Sequence, residues 1–403
     1  MTHTTGTLLF DLDDTLLANS VDQFLPSYIK AIGKHLAAYS PPEKVIQSLL
    51  EGTRQMTENL DPTRSLRRCF NDHFFPALDA DQDVMQADID RFYQEVFPRL
   101  QSLTQPNPQG RPVIEQALQA GWQVVIATNP LFPQTAVYQR LGWAGLPVDE
   151  IPFALVSTYE HFHFTKPHPE YFAEILAQLG WPEGPVVVLG DDTVMDIAPC
   201  GKFGLPAVWI PTKEPYELPR DCEQSTLATS LEEGWRWINE QPPDMLVPRL
   251  DTPAACLAIL RANPAALWSL GEQADSSIWN RRAKSEHWSL AEIACHLRDV
   301  EQEVNLPRTL KILDESNPFL PALDTDRWAE ERDYARQEGR LALADYTAAR
   351  LQLLSRLTHL TPEDWRRPAR HSIFGRTNLA ELVRIAATHE RLHVRQFFQE
   401  AQK

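Results

Sequence analysis

Two carboxylates, Asp11 and Asp13, follow a short apolar run near the N-terminus. One carboxylate of such a pair can attack as a nucleophile while the other moves a proton, and a divalent cation relieves their mutual repulsion. The pattern Asp-x-Asp-x-Thr is frequent by chance, so its meaning depends on partners further along the chain.

Polar side chains also follow two later apolar runs and open a later helix. They are Thr128, Asn129, Lys166, Asp191 and Asp196. Asp191 and Asp196 could join Asp11 to offer the hard oxygen ligands that Mg²⁺ prefers. Lys166 and the Thr128 hydroxyl could bind the oxygens of a phosphoryl group. These residue types favour phosphoryl chemistry assisted by a metal.

The elements that must position these groups alternate between strand and helix. Apolar runs predict strands at 7–10, 124–127, 153–157, 186–189 and 207–210, and helices at 134–141 and 169–179. Such alternation predicts βαβ units and a mostly parallel sheet, which gathers the carboxyl ends of its strands on one rim. The fold class that we predict for this part is α/β, with a Rossmann-like parallel sheet.

The stretch 16–103 is predicted to be helical, because apolar residues recur at three- and four-residue spacing in 24–38 and 45–59. It reads as an all-helical insertion after the first strand.

A Pro-rich stretch at 241–250 predicts an interdomain linker. Beyond it we find no strand signals and predict long amphipathic helices at 289–304, 341–357 and 378–399. Ser289 and Glu292 form a capping box, and Asn378 with Glu381 is placed as another helix cap. The simplest architecture for this part is an all-α four-helix bundle.

Composition limits the partners and the compartment. The chain of 403 residues carries a formal net charge of -17, which disfavours nonspecific binding to nucleic acid or to an anionic membrane. No apolar stretch approaches the ~20 residues of a membrane span, and the first residues do not resemble a signal peptide. The five cysteines are scattered without a Cys-x-x-Cys pair, which is typical of a reducing compartment. We expect a cytoplasmic protein.

Residues 7 to about 240 resemble a haloacid dehalogenase (HAD) superfamily hydrolase. Its four motifs occur in order, as Asp11-x-Asp13-x-Thr15, Thr128, Lys166 and Gly190-Asp191 followed by Asp196. The resemblance implies a Rossmann-like core and identifies the helical insertion with the family's C1-type cap, which closes over substrate and excludes water.

The resemblance also implies a role for each motif residue. Asp11 would form an aspartyl-phosphate and Asp13 would act as general acid and base. Thr128, Asn129 and Lys166 would bind the substrate, with Thr128 and Lys166 stabilising the phosphoryl group. Mg²⁺ would be held by Asp191 and Asp196 together with Asp11 and the Asp13 carbonyl.

The second carboxylate discriminates within that family. Dehalogenase and phosphonatase members lack an acid at the position of Asp13, whereas phosphatases and phosphomutases keep one. Asp14 departs from the family pattern, because many members carry Gly there, and Met195 replaces a common Asn. Neither departure falls on a catalytic group.

Three histidines mark a second candidate site. His389 and His393 are four residues apart on the last predicted helix, so their rings share one face. His296 lies in the middle of the 289–304 helix on the side of Ile293 and Val300, which we expect to face inward. Three nitrogens from two helices could bind a metal and leave coordination positions open. The alternative is a satisfied core histidine beside an exposed histidine pair.

Residues 251–403 resemble a DinB-like four-helix metal-binding domain, a group that includes thiol-dependent transferases. The resemblance rests on Trp288-Ser289, Ile293, His296-Leu297, Arg350, Leu353-Leu354, His389 and His393. It implies that the three histidines bind a divalent metal, Zn²⁺ or Ni²⁺. The run His389-Glu390-Arg391-Leu392-His393 also matches the zinc-protease signature, but a protease needs a third ligand downstream and only ten residues remain.

The function that we predict is a Mg²⁺-dependent phosphatase acting on a small phosphorylated metabolite. Alternatives are a phosphomutase, a metal-dependent thiol transferase in the bundle, or a noncatalytic bundle through which the protein forms a homodimer. The predicted domains are the core at 1–17 and 104–240, the cap at 18–103, the linker at 241–250 and the bundle at 251–403.

Overall fold

A computed structural model describes residues 5–19, 21–78, 81–212, 219, 222–282, 284, 287–325 and 327–403. Its contacts divide the chain into two compact units. The first comprises Met1–Tyr171 and Glu183–Pro248, and the second comprises Phe172–Pro182 and Arg249–Lys403.

A six-stranded parallel sheet forms the centre of the first unit, with its strands side by side in the order 155–156, 122–126, 6–10, 186–190, 207–209 and 225–227. The strands of this unit are β1 (Gly6–Phe10), β2 (Leu17–Asn19), β3 (Thr104–Pro106), β4 (Trp122–Ile126), β5 (Leu155–Val156), β6 (Val186–Gly190), β7 (Ala207–Trp209) and β8 (Ser225–Leu227). Every residue of β1 is buried, because β4 and β6 flank it and helices cover both faces of such sheets. The predicted parallel sheet is confirmed.

Nine helices accompany these strands in the described residues. They are α1 (Val21–His35), α2 (Pro42–Thr57), α3 (Leu66–Leu78), α4 (Gln82–Arg91), α5 (Gly110–Gln119), α6 (Gln134–Trp143), α7 (Pro169–Gln178), α8 (Ala198–Phe203) and α9 (Leu231–Glu240). The first four lie in the predicted helical insertion, and two irregular helical turns, Phe92–Val96 and Phe97–Leu103, complete it.

Short strands were the least predictable elements of this unit. The run predicted as a strand at 153–157 pairs only over Leu155–Val156. Three further strands were not predicted: β2 and β3, which pair antiparallel, and β8. Each has three residues, too few for a hydrophobic period to show.

The second unit is mostly helical, as predicted. Its helices are α10 (Pro253–Gln273), α11 (Leu290–Val300), α12 (Leu306–Asp314), α13 (Trp328–Glu331), α14 (Gly339–Leu357), α15 (Pro362–Trp365) and α16 (Leu379–Ala401). The Ser289 capping box is present at the start of α11, and the Asn378 side chain accepts a hydrogen bond from the Glu381 main-chain N–H at the start of α16. Both predicted caps are confirmed.

The expectation of a second part without strands was wrong. A small sheet joins β9 (Phe319–Leu320), β10 (Pro368–His371) and β11 (Gly375–Asn378). The hairpin between β10 and β11 turns at 372–374 and ends at Gly375, whose φ of +74° suits a residue without a Cβ. The two strands of this hairpin carry mostly polar and charged residues, so they lack the alternation of apolar and polar residues that predicts a strand.

Over the residues that the structure describes, no helix combines the length and the apolar character that crossing a bilayer requires.

Candidate functional site

The carboxyl ends of three neighbouring strands bring the first set of predicted residues together. The Asp11 main-chain N–H donates to the Leu189 carbonyl at 2.9 Å, and the Ala127 N–H donates to the Phe10 carbonyl at 2.7 Å. These bonds extend the ladders of β1 with β6 and of β4 with β1 by one step. The residues that follow β1, β4 and β6 therefore lie at the same edge of the sheet, which we call its rim.

Lys166 links two of the predicted carboxylates. Its Nζ donates to Asp11 Oδ1 at 2.6 Å and to Asp196 Oδ1 at 2.5 Å, and all three side chains are buried. Burial opposes the ammonium charge, but the two carboxylates outweigh burial and raise the pKa of Lys166. The group is therefore a fixed positive charge at neutral pH.

Asp191 completes a cluster of carboxylates with Asp11 and Asp196, whose oxygens all lie within 4.8 Å of one another. Burial, followed by the charges of Asp11 and Asp196, raises the pKa of Asp191 to about 8. Burial also raises the pKa of Asp196, although Lys166 opposes that shift. Lys166 alone does not neutralise three carboxylates, so this donor set fits a divalent cation with oxygen ligands.

Gly190 makes room for this cluster at the end of β6. A Cβ at Gly190 would lie 2.4 Å from the Asp196 carboxyl carbon. No residue with a side chain fits there unless Asp196 moves. The motif therefore requires glycine at this position for steric space, which the spacing of the motif residues did not reveal.

Thr128 presents a hydroxyl to the same rim. Its Oγ1 is buried and has no hydrogen-bond partner in the described structure, while its carbonyl accepts from Ser157 Oγ and Tyr171 Oη at 2.7 Å each. The main chain is therefore anchored while the hydroxyl is left for another group. An unpaired buried donor of this kind fits an anion such as a phosphoryl oxygen.

Asn129 holds the loop of Lys166 in the structure. Its Oδ1 accepts from the Lys166 main-chain N–H at 3.2 Å. This contact positions the lysine, and the substrate binding that we predicted for the amide stays a prediction. Asp192 likewise serves the local fold, because its carboxylate caps the turn at Thr193–Ile197.

Asp13 has a partner that sequence reasoning missed. Asn19 Nδ2 donates to Asp13 Oδ1 at 2.6 Å, and the guanidinium of Arg140 forms an ion pair with the same oxygen. Arg140 is buried on α6, and burial lowers its pKa to about 10, so it stays charged at neutral pH. Its place among the buried residues Val137 and Leu141 could have marked Arg140 as buried, although not as the partner of Asp13.

Asp14 adopts a backbone conformation that explains the departure from the family pattern. Its φ is +56°, in the left-handed region that Gly occupies freely and that Asp tolerates better than most residues. The Asp14 carboxylate accepts from the Asn19 main-chain N–H at 2.9 Å, which supports that turn.

A largely apolar cavity of about 200 Å³ lies between the helical insertion and the loop after β4. Its aromatic lining includes Tyr28, Phe70, Phe74, Tyr93 and Phe132. The Arg140 guanidinium lies 5.2 Å from the centre of the Phe132 ring, so the residue that pairs with Asp13 also packs against the wall of this cavity.

The three predicted histidines of the second unit also meet. His389 Nε2 and His393 Nε2 are 3.1 Å apart, and the His296 ring centre is 4.5 Å from that of His393. His296 is buried, yet neither of its ring nitrogens has a hydrogen-bond partner in the described structure. Two unpaired buried nitrogens facing other imidazoles fit metal coordination better than a satisfied core histidine.

The surroundings keep the imidazoles of His296 and His393 neutral, which is the form that binds a metal. Burial, followed by the neighbouring histidines, lowers the pKa of His296 to about 3 and that of His393 to about 4. His393 Nδ1 donates to Gln396 Oε1 at 2.9 Å, which leaves the lone pair on Nε2 toward the cluster.

Glu390 lies between two of the histidines in sequence, but its carboxylate bonds to residues of the core. Its carboxylate accepts from both Arg350 and the Tyr346 hydroxyl, and Arg350 also pairs with Glu301 at 2.7 Å. All four side chains are buried. Glu390 therefore belongs to an ion-pair network in the core, so it is not placed as the base of a zinc protease.

Comparisons with known proteins agree with this division. The sequence matches the family described as haloacid dehalogenase-like hydrolase over residues 5–204 and the DinB superfamily over residues 259–397. No curated protein matches the chain in sequence.

Solved structures resemble one part of the chain or the other. A HAD phosphatase from Thermococcus onnurineus is 20% identical, with a TM-score of 0.39, over 59% of this chain and 99% of its own. The L-2-haloacid dehalogenase from Xanthobacter autotrophicus is 12% identical, with a TM-score of 0.37, over 60% of this chain and 100% of its own. YfiT from Bacillus subtilis, a protein with a four-helix bundle topology, is 19% identical, with a TM-score of 0.35, over 38% of this chain and 91% of its own.

The parallel sheet and the motif residues on its rim agree with the sequence match of the first part of the chain. Residues 5–204 are therefore a haloacid dehalogenase-like hydrolase, and residues 259–397 belong to the DinB superfamily.

Proposed function

We propose that the first domain is a Mg²⁺-dependent phosphatase that hydrolyses a small phosphorylated metabolite through an aspartyl-phosphate on Asp11. The observation that carries the proposal is the position of the Lys166 ammonium between Asp11 and Asp196. The buried hydroxyl of Thr128, which has no hydrogen-bond partner in the described structure, adds a second donor. We also propose the domain bounds given by the sequence, with the core at 1–17 and 104–240 and the cap at 18–103.

In this proposal the Asp11 carboxylate attacks phosphorus, and the bond from phosphorus to the ester oxygen breaks. Asp13 gives its proton to the leaving oxygen. Asp13 then takes a proton from water as that water attacks the aspartyl-phosphate, which releases inorganic phosphate and restores Asp11. Lys166 and Thr128 hold the phosphoryl oxygens throughout.

Mg²⁺, when bound by Asp11, Asp191, Asp196 and the Asp13 carbonyl, would supply positive charge beside the phosphoryl oxygens. Asn19 and Arg140 hold the Asp13 side chain, so both act as positioning residues. The presence of Asp13 supports ester hydrolysis over dehalogenation. The apolar lining of the cavity beside Phe132 supports a leaving group with an apolar face.

The test is release of inorganic phosphate from p-nitrophenyl phosphate, with and without EDTA. Asp11→Asn removes the nucleophile, so we expect a loss of at least about a thousandfold in kcat. Asp149→Asn, which changes an exposed carboxylate of the same domain, is the control and leaves the rate unchanged. Activity that survives in Asp11→Asn would overturn the proposal, and isomerisation without phosphate release would identify a phosphomutase.

We further propose that His296, His389 and His393 bind one divalent transition metal, Zn²⁺ or Ni²⁺. Support comes from the two unpartnered nitrogens of His296 and from the lowered pKa values of His296 and His393. Thiol transfer at this metal is the second candidate function, and it is favoured by a cavity that reaches His389. Dimerisation through the bundle remains an alternative use of the domain.

Metal analysis of the purified full chain tests the histidine site. We expect one equivalent of transition metal in the wild type and its loss in His389→Ala, whose half-buried side chain can be removed with little cost to packing. His359→Ala, which changes an exposed histidine of the same domain, keeps the metal. Equal metal content in the two variants would contradict the assignment.

A compartment with reduced thiols fits the cysteines of the structure. All five are free and buried. We propose the cytoplasm on this basis, with neither nucleic acid nor membrane as a partner.

A further inference from the structure

A second cavity, with a volume of about 270 Å³, lies within the DinB-superfamily domain. Its wall is mainly aliphatic and aromatic, with contributions from Val304 and Ile312 on one side and from Val383 and Phe374 on others. His389 also lines it, so the cavity reaches the histidine cluster. A size near the lower end of small-molecule sites, about 300 Å³, suits a compact ligand.

Arg308 is the cationic residue of this lining. Its guanidinium donates to the Pro321 carbonyl at 2.8 Å, and no carboxylate among the described residues forms an ion pair with it. The side chain is half-buried, and burial lowers its pKa from the ordinary arginine value. In a chain with 55 acidic residues, a partly desolvated arginine without an acidic partner leaves an anion-binding position open.

His371, also in the lining, provides a second donor. Its Nδ1 accepts from the main-chain N–H groups of Ile373 at 3.2 Å and Phe374 at 3.4 Å, which places the ring proton on Nε2. The residue is 4% exposed, and Nε2 has no hydrogen-bond partner in the described structure. A buried N–H without an acceptor is costly, so a ligand that accepts from it is stabilised.

We propose that this cavity binds a small organic monocarboxylate, with the carboxylate held by Arg308 and His371 Nε2–H and the apolar body held by the aliphatic wall. One cation and one neutral donor match a single negative charge, whereas a phosphate dianion would keep part of its charge unpaired in an apolar site. The bound molecule lies beside His389, within reach of chemistry at the histidine cluster. The inference does not rest on the phosphatase proposal.

Titration calorimetry on the full-length protein tests this site. The probes are butanoate, hexanoate and octanoate, with 1-octanol as the neutral match of octanoate. We expect octanoate to bind at least about tenfold more tightly than 1-octanol, because a charge-assisted hydrogen bond is lost in the alcohol. No binding of any carboxylate, or equal affinity for octanoate and 1-octanol, would overturn the proposal.

Variants locate the carboxylate. Arg308→Gln and His371→Asn each raise the Kd for octanoate by about tenfold and leave the Kd for 1-octanol unchanged. Asn is chosen because its side-chain oxygen can still accept from the hairpin N–H groups that His371 Nδ1 serves, which guards against misfolding. Arg366→Gln, an exposed arginine elsewhere in the domain, is the matched control. Unchanged octanoate binding in both cavity variants would refute the assignment.

Removing the metal separates this site from direct coordination by a metal. In full-length protein treated with EDTA, octanoate affinity stays within about threefold of the untreated value if Arg308 and His371 hold the carboxylate. Loss of octanoate binding after EDTA treatment, with 1-octanol binding intact, would place the carboxylate on the metal and overturn the proposal.

Discussion

At the residue scale, the first site is organised by one buried ammonium group and one buried hydroxyl. Lys166 Nζ contacts Asp11 and Asp196, and it holds two like charges at a distance where they would otherwise repel. Among the described residues, the Thr128 hydroxyl has no hydrogen-bond partner, although the carbonyl of that residue is anchored. Fixed donors of this kind need little rearrangement when charge develops on a substrate.

Replacing Thr128 separates catalysis from stability. In Thr128→Val we expect kcat for p-nitrophenyl phosphate to fall by about a hundredfold to a thousandfold, because one donor to the phosphoryl group is gone. The free energy of unfolding should not fall, since the hydroxyl that is removed has no partner in the structure. Steady-state kinetics and thermal unfolding of the same preparation measure both effects.

Thr158→Val is a closely matched control. Thr158 is also buried, and its Oγ1 also lacks a partner in the described structure, but no role at the site is assigned to it. Its activity should equal that of the wild type. Equal activity of the two threonine variants would show that the Thr128 hydroxyl does not touch the substrate.

The carboxylate cluster predicts how cation binding depends on pH. With its pKa raised to about 8, Asp191 is protonated in the cation-free folded chain at pH values where the unfolded chain is ionised. The free energy of unfolding of the cation-free protein therefore decreases as pH rises from about 4 to about 8. A cation that binds the ionised form of Asp191 restores this free energy. We expect Mg²⁺ affinity to increase by up to about tenfold per pH unit between about pH 6 and pH 8.

The increase in melting temperature caused by Mg²⁺ at each pH measures this effect. Asp191→Asn is the comparison, because it removes the group that releases the proton. A stabilisation by Mg²⁺ that is the same at both ends of the range would contradict the predicted proton release.

At the element scale, the loop after β6 depends on a close approach that only glycine permits. In Gly190→Ala the new Cβ would meet the Asp196 carboxyl carbon at 2.4 Å, so Asp196 must move. We expect phosphatase activity to fall by about a hundredfold or more, since Asp196 contacts both Lys166 and the proposed Mg²⁺. The rate with p-nitrophenyl phosphate at several Mg²⁺ concentrations is the measurement.

Gly142→Ala is the control for that change. Gly142 is an exposed position in α6, and a Cβ there meets nothing within 4 Å. Alanine should leave activity unchanged and stabilise the helix by up to about 1 kcal/mol. Full activity in Gly190→Ala would mean that the site accommodates the displaced carboxylate.

Three long elements of the bundle are tied by the ion-pair network of Arg350. This residue on α14 reaches Glu301, which follows α11, and Glu390 on α16. In Arg350→Met two buried carboxylates lose their cation, so we expect the free energy of unfolding to fall by about 3–5 kcal/mol. Arg356→Met, which changes an exposed arginine of the same helix, should have little effect.

Urea unfolding of the full chain measures this difference, and hydrogen exchange in α14 and α16 assigns it to the bundle. A loss no larger than that of Arg356→Met would show that the network adds little to stability.

At the scale of the whole molecule, the chain carries two candidate metal sites, each built from residues of one unit. Asp11, Asp191 and Asp196 belong to the first unit, and the three histidines belong to the second. We expect His389→Ala to keep phosphatase activity within about twofold while losing the transition metal, and Asp11→Asn to keep that metal while losing activity. Rate and metal content of each variant form the test, and a variant that loses both would reveal coupling.

Much of the first site could be predicted because its residues lie at fixed steps from strong local signals. Asp11 follows a fully apolar strand, and parallel strands end on one rim whatever their order. Arg140 could not be predicted as a partner of Asp13, because 127 positions separate the two and only packing joins them. The role of His371 could not be predicted either, because its strand has no apolar period. The hairpin turn places main-chain N–H groups on its Nδ1, and this contact leaves the proton on Nε2.

The sequence by itself determined the two families, the order of strands and helices, and the residues that could carry chemistry, because each depends on spacing along the chain. The tertiary structure decided which of those groups touch. It placed Lys166 between Asp11 and Asp196, buried Glu390 in the core, and set Arg308 beside an apolar cavity. Within the part of the chain that the structure describes, it also left both ring nitrogens of His296 without a hydrogen-bond partner. Burial, unpaired donors and charge compensation arise only when distant segments pack together, so no local pattern can encode them.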